Sequence, residues 1–271
     1  MRLLFIGDIV GKPGRDIAKR AVPALIAARK LDLVVANAEN AAGGSGLTPE
    51  IYRELVAAGV DAITLGDHIY RRREIIPIMH REANIVRPAN MPADAPGRQW
   101  TTVAARDGTL VGIVSLMGQL YMKPIDSPFE AANQVLAAMP ADVRVRLVDF
   151  HAEATGEAQL MGRHLDGRVS AVLGTHTHVP TADECILPGG TAFQCDVGMT
   201  GPFDSILGRR IDRVLETRLT ANPTAFDVAT GDVRLCGSVV DVDPENGKAT
   251  AIERLCIREE ELAELERAVS P

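Results

Sequence analysis

Short apolar runs alternate with longer amphipathic stretches through the first third of the chain. Residues 3–7 read as a buried strand. Residues 14–30 read as a helix, because Ala18, Ala21, Leu25 and Ala28 recur at helical spacing. A second strand is expected at 31–37. Thr48 then offers an N-cap, Pro49 suits the first helical position, and Ile51, Leu55 and Val56 supply the apolar side of the helix. Residues 61–66 read as a third strand and 72–81 as the next helix. Strands separated by helices of this length predict βαβ units and a largely parallel sheet.

The second part of the chain is more mixed. Residues 101–105 and 109–116 flank Arg106-Asp107-Gly108, a hairpin signal. A helix is expected at 127–138, a strand at 143–150, a helix at 157–165 and a strand at 169–174. Residues 184–187 and 191–197 read as strands, 206–219 as a helix, and 225–228, 233–242 and 249–257 as strands, before a charged C-terminal helix. Pro88 to Gly97 form a long turn-rich connection. Parallel units followed by antiparallel pairs predict an α/β protein of two mixed sheets packed together with helices outside. No linker or repeat divides the chain, so residues 1–271 are expected to form a single domain.

Composition narrows the function classes. With 46% apolar and 24% charged residues, the 271-residue chain can bury a core and is not a disordered segment. Its formal net charge of −7 argues against an extended nucleic-acid surface, which needs clustered cations. No apolar run is long enough to cross a membrane, and Asp8 interrupts the first one too early for a signal peptide. A cytoplasmic location is therefore expected. Cys185, Cys195, Cys236 and Cys256 show no metal-finger spacing and read as small buried thiols.

The informative feature is what ends the strands. These ends read Gly7-Asp8, Asn37-Ala38-Glu39-Asn40, Gly66-Asp67-His68, Asp149-Phe150-His151 and Gly174-Thr175-His176-Thr177-His178. Ligands bind outside the carboxyl ends of strands in open α/β sheets, so five strands deliver carboxylates, amides and imidazoles to one edge. Four of the six histidines fall there, whereas His80 and His164 lie inside predicted helices and read as structural. Oxygen and imidazole donors without thiolate suit iron, manganese or zinc. The set exceeds the need of one ion. Two ions about 3.5–4 Å apart, sharing a carboxylate, would use it fully.

Other motifs fall away. Gly7 to Lys12 has glycines too close together for a phosphate loop, and Pro13 stands where a hydroxyl would hold magnesium. Gly43-Gly44-Ser45-Gly46 reads as a flexible connection beside the site. No Gly-x-Ser-x-Gly elbow supports a serine hydrolase.

The strings Gly7-Asp8-Ile9-Val10-Gly11, Asn37-Ala38-Glu39-Asn40-Ala41-Ala42, Gly66-Asp67-His68, Arg87-Pro88-Ala89-Asn90, residues 149–155, residues 174–178 and residues 196–202 occur in order across nearly the whole chain. Together they resemble the YmdB-like branch of the calcineurin-like metallophosphoesterases. The resemblance implies a four-layer α/β/β/α sandwich with two metal ions per subunit, iron or manganese first, zinc or magnesium as alternatives. By position, Asp8, Glu39, Asn40 and His178 would hold one ion. Glu39, Asp67, His151 and His176 would hold the other, with Glu39 bridging and His68 as general acid. Two positions depart from the wider superfamily. Asp67 stands where Asn is usual, and an extra carboxylate would tighten divalent binding while lowering Lewis acidity. Val10 stands where a histidine ligand is frequent, with Asn40 compensating.

The activity implied is hydrolysis of a small nucleotide phosphodiester, a 2′,3′-cyclic nucleotide first, by a metal-bridging hydroxide with His68 as proton donor. Two alternatives share the site: a phosphomonoesterase, and a metal-dependent nucleotide sensor with little turnover. His68 also reads as a supporting partner of Asp67. Arg87, Asn90, Thr200 and the 196–202 loop read as turn and scaffold more readily than as substrate contacts. Among the few aromatic residues, Tyr70, Trp100, Tyr121 and Phe203 are within reach of the site on this reading. Homo-oligomerisation is left open.

Overall fold

The computed structural model describes residues 1–269. The chain opens with β1 (Arg2–Ile6), a short β2 (Asp8–Ile9), α1 (Gly11–Arg29), β3 (Leu33–Asn37), α2 (Pro49–Ala57) and β4 (Ala62–Thr64). A single 3₁₀ turn then leads into α3 (Ile76–Arg81) and β5 (Ile85–Val86). Thr48 caps α2 as its sequence predicts, its hydroxyl accepting from the Ile51 amide at 3.3 Å. β1, β3, β4 and β5 run parallel, in that order.

The hairpin predicted around Arg106 is β6 (Trp100–Ala104) and β7 (Leu110–Met117), paired antiparallel. After it come α4 (Pro128–Ala138), β8 (Val145–His151), α5 (Thr155–Leu165), β9 (Ala171–Thr175), β10 (Cys185–Ile186) and β11 (Ala192–Gln194). The chain closes with β12 (Met199–Asp204), α6 (Ile211–Thr220), β13 (Gly231–Val242), β14 (Ala249–Arg258) and α7 (Glu259–Val269). One sheet runs β2-β12-β13-β1-β3-β4-β5, with β14 also on β13, and the other runs β10-β11-β9-β8-β7-β6.

Period-two alternation explains the layers. Leu3 and Phe5 of β1 and Leu33 and Val35 of β3 face inward against Ile113, Val145, Leu147 and Leu173 of the second sheet. Leu4, Ile6, Val34 and Ala36 face the other way and pack under α1, α2, α3 and α7. Val148, Phe150 and Val172 do the same under α4 and α5. The result is the four-layer α/β/β/α sandwich, with both faces of the central strands buried. Among the described residues, no helix is long and apolar enough to cross a membrane.

Four expectations need correction. The helix expected from residue 206 begins at Ile211, because Leu207 and Gly208 are left-handed (φ 51° and 87°) and make a tight turn. The strand expected at 225–228 is only an isolated bridge between Arg209 and Val228, in an exposed segment. Residues 196–202, read as a glycine-rich loop, instead contain the start of β12, which pairs with both β2 and β13. The thiols are not all buried. Cys185 lies on the edge strand β10 and Cys256 on β14, and both are exposed. Cys236 and Cys256 are opposite each other in register, with sulfurs 3.3 Å apart.

Candidate metal centre

The ends of β1, β3, β4, β8 and β9 meet at one rim of the sandwich. Two glycines make the meeting possible. At Gly7 a Cβ would run into the carbonyl of Gly198, so only glycine lets β1 turn into β2 and present Asp8. At Gly66 a Cβ would strike the His151 ring, so the backbone before Asp67 lies directly on that imidazole.

Every predicted ligand is brought together. Around Asp8, the Asn40 amide nitrogen is 3.3 Å from Asp8 Oδ1, 3.1 Å from Glu39 Oε1 and 3.2 Å from His178 Nε2. Around Asp67, its Oδ1 is 3.4 Å from His151 Nε2 and 3.7 Å from His176 Nδ1. Glu39 Oε1 lies 3.4 Å from His151 Nε2, so Glu39 touches both groups. Three sets, Asp67-His151-His176, Asp8-Glu39-His151 and Glu39-Asp67-His68, each gather ligand atoms within 4.8 Å of one another and can hold metal ions.

The frame holding these ligands is itself polar and buried. His176 and His178 are left-handed residues (φ 103° and 64°), a conformation that L side chains adopt at a cost and that a surrounding network must enforce. Asp8 Oδ2 accepts the His176 amide at 3.0 Å. Asp196 Oδ2 accepts both the amide and the hydroxyl of Thr177 at 2.8 Å. Behind His151, Nδ1 is 2.8 Å from the Thr175 hydroxyl, which donates to Asp149 Oδ1 at 2.7 Å. Asn37 Nδ2 donates to the other Asp149 oxygen at 3.0 Å. This relay fixes the proton on His151 Nδ1 and turns Nε2 toward Glu39 and Asp67, as metal-binding histidines require.

Electrostatics follow from burial. Burial favours protonation of Glu39, but the charges and hydrogen bonds of His151 and His68 outweigh it and hold the carboxyl well below its usual range. Burial lowers the His151 pKa, yet Glu39 and Asp67 raise it well above the ordinary imidazole value. Asp149 is pushed up to about 6 by burial, and Asp196 up to about 7 by burial and then by Asp8. His68 is raised by its contact with Glu39. His176 is lowered by burial and by the neighbouring His151.

The donor set fits cations. Asp8, Glu39 and His151 are fully buried, and carboxylates concentrated in such a place require positive charge. Lys123 Nζ is 3.9 Å from Asp67 Oδ2, but this side chain is 64% exposed and does not reach the buried Asp8 and Glu39.

Other candidates resolve into scaffold. Arg87 is buried and donates to the carbonyls of Gly97, Pro88, Met91 and Ala93. Asn90 bonds both the carbonyl and the amide of Met117, and Thr200 bonds Cys236. Phe203 lies under Arg234, Trp100 packs against the second-sheet core, and Tyr121 projects into solvent; Tyr70 lines a cavity beside Asp67. His80 and His164 sit in α3 and α5, away from the cluster. The glycine-rich 43–46 segment is pinned, with Arg209 donating to the carbonyls of Gly43 and Gly44. Asp149, Thr175 and Asn37 stood in the strand-end strings, but their role behind His151 was not legible there, because it depends on the pairing of β8 with β9.

The four-layer sandwich and its strand-end cluster define a protein of the metallophosphoesterase type. The sequence model of the YmdB-like protein family matches residues 4–255, and the chain belongs to that family. It is 45% identical over 262 residues to the 2′,3′-cyclic-nucleotide 2′-phosphodiesterase of Bacillus subtilis, covering 97% of this chain and 99% of that protein. A crystal structure of a Thermus thermophilus protein superposes with a TM-score of 0.89 at 41% identity, over 96% of this chain and 100% of the other. A phosphatase structure from Mycoplasma pneumoniae superposes at 0.88 and 31% identity, covering 95% and 93%.

Proposed function

We propose that the chain is a metal-dependent phosphodiesterase that hydrolyses 2′,3′-cyclic nucleotides. The observation that carries this reading is Glu39, a buried carboxylate touching Asn40 on one side and His151 on the other. Two divalent cations, iron or manganese, would be held by Asp8, Glu39, Asn40 and His178 and by Glu39, Asp67, His151 and His176. When bound, they supply Lewis acidity toward the phosphate oxygens and make a water molecule easier to deprotonate. The name of the Bacillus subtilis relative supports the choice of substrate. We take the whole chain as one catalytic domain, since both sheets contribute ligands.

In the reaction, the water oxygen bonds to phosphorus, the bond from phosphorus to O2′ breaks, and O2′ takes up a proton. His68 would supply it. Its backbone amide donates to Glu39 Oε2 at 2.8 Å, its Nδ1 is 2.7 Å from Asn40 Oδ1, and its Nε2, 3.8 Å from Asp67 Oδ2, would face the substrate. Asn40 links the two tasks. Its amide nitrogen faces the Asp8 and Glu39 carboxylates. Holding a cation requires the oxygen there instead, which sets the nitrogen against His68 Nδ1 and keeps the His68 proton on Nε2.

The test is Glu39→Gln. It should abolish both metal loading and hydrolysis of bis-p-nitrophenyl phosphate, and full activity would remove the proposal. Faster turnover of AMP than of 2′,3′-cyclic AMP would replace the diesterase with a phosphomonoesterase.

A further inference from the structure

A cavity of about 350 Å³ opens beside the ligand cluster, and Asp67 lines both. Its walls are largely apolar, with Tyr70, Met91, Met117 and Ile125, and Lys123 stands among its lining residues. The volume lies within the usual range for small-molecule sites, about 300–1,000 Å³.

The walls are held in place. Tyr70 donates its hydroxyl to the Pro96 carbonyl at 2.7 Å, which fixes the ring. The 118–126 segment, which brings Lys123 and Ile125 over the cavity, is tied down at both ends. Glu157, only 4% exposed, accepts the amides of Gln119 at 2.9 Å and Leu120 at 3.1 Å. Asn90, only 2% exposed, donates to the carbonyls of Met117 at 2.7 Å and Asp126 at 2.9 Å. Gln119 bridges the interior by donating to the Ile125 carbonyl at 2.7 Å. Two buried polar side chains, Glu157 and Asn90, thus fix the segment that covers this cavity.

We propose that this cavity is the nucleoside subsite, receiving the base of the nucleotide whose phosphate occupies the neighbouring ligand cluster. The inference rests on the reading of the cluster as a phosphodiesterase site. An aromatic ring and two methionine sulfurs suit the flat face of a base. Lys123, 3.9 Å from Asp67, stands where cavity and cluster join and offers a cation toward the phosphate. Apart from Asp67, the polar lining side chains are Tyr70, whose hydroxyl is already engaged, and the cations Arg71 and Lys123. Such walls read the shape of a base more than its hydrogen-bonding edge. Purine and pyrimidine 2′,3′-cyclic nucleotides should therefore be used within about tenfold of each other.

Manganese-loaded protein decides the matter with two probes. Adenosine 3′-phosphate should bind at least about tenfold more tightly than inorganic phosphate by calorimetry, and Ile125→Trp, which fills the cavity, should remove most of that difference. Tyr70→Ala gives a second variant, by removing a wall instead of adding bulk. In the same variants, kcat/KM for 2′,3′-cyclic AMP should fall about tenfold relative to methyl p-nitrophenyl phosphate, mainly through KM. Equal losses on both diesters, or equal binding of the two probes by the unmodified protein, would overturn the subsite. Failure of the unmodified protein to hydrolyse either diester would instead refute the proposed reaction, while the binding comparison would still decide the subsite.

Discussion

Replacing Thr175 by valine tests the relay behind the candidate ligands. Valine matches threonine in shape, and Thr175 is fully buried, so packing is retained while one hydroxyl is lost. That hydroxyl is 2.8 Å from His151 Nδ1 and donates to Asp149 at 2.7 Å. Its removal strands a buried ring N–H and takes a donor from a buried carboxylate. An unsatisfied buried polar group costs about 1–3 kcal/mol. Losing the partner that orients a metal-binding histidine weakens metal affinity by about 10–100-fold. Thr175→Ser keeps the hydroxyl and should stay within about threefold of the unmodified protein, because only a methyl group changes. The assay is manganese titration against a chelating dye, with the melting temperature of the metal-free protein recorded beside it. A valine variant that binds manganese as tightly as the original, or a serine variant as weak as valine, would refute the relay.

Three further outcomes are expected. Gly66→Ala should lose manganese binding while remaining folded by circular dichroism, because the added Cβ meets the His151 ring; normal binding would contradict that contact. In metal-free protein, Asp149 favours folding most while protonated, and this contribution is lost as pH rises through about 6. Stability relative to Asp149→Asn should therefore drop by roughly 2 kcal/mol between about pH 4.5 and 7 in urea unfolding, and a constant or rising difference would contradict the burial argument. His68→Gln should lower kcat for 2′,3′-cyclic AMP by about 10²–10⁴, yet far less for bis-p-nitrophenyl phosphate, whose leaving group needs no proton; equal losses would remove the proton-donor role.

Much of the fold was legible because burial on both faces of a sheet writes continuous apolar runs, as in β1, β3 and β9. The candidate ligands were legible for a related reason. Asp8, Glu39, Asp67, His151, His176 and His178 interrupt or follow those runs at strand ends, where a polar residue must either meet solvent or do chemistry. Thr175 and Asp149 stood in the same strings, but their role behind His151 did not show, since their partners lie across two strands and meet only when β8 and β9 pair. β12 was hidden by Gly201 and Pro202, which read as a loop until β2 and β13 flank them. The turn at Leu207 overrode a helical pattern because Ile206 and Arg209 exchange backbone hydrogen bonds across left-handed Leu207 and Gly208. Exposure of Cys256 depends on which face of β14 is covered, a tertiary property that residue type does not encode.

The central claim is that Glu39 stands between two cation sites at the rim of the sandwich. Anomalous diffraction from manganese-soaked crystals measures this directly. Two peaks about 3.5–4 Å apart, one beside Asp8 and His178 and one beside Asp67 and His176, are predicted. A single peak, or none at saturating manganese, would contradict the account.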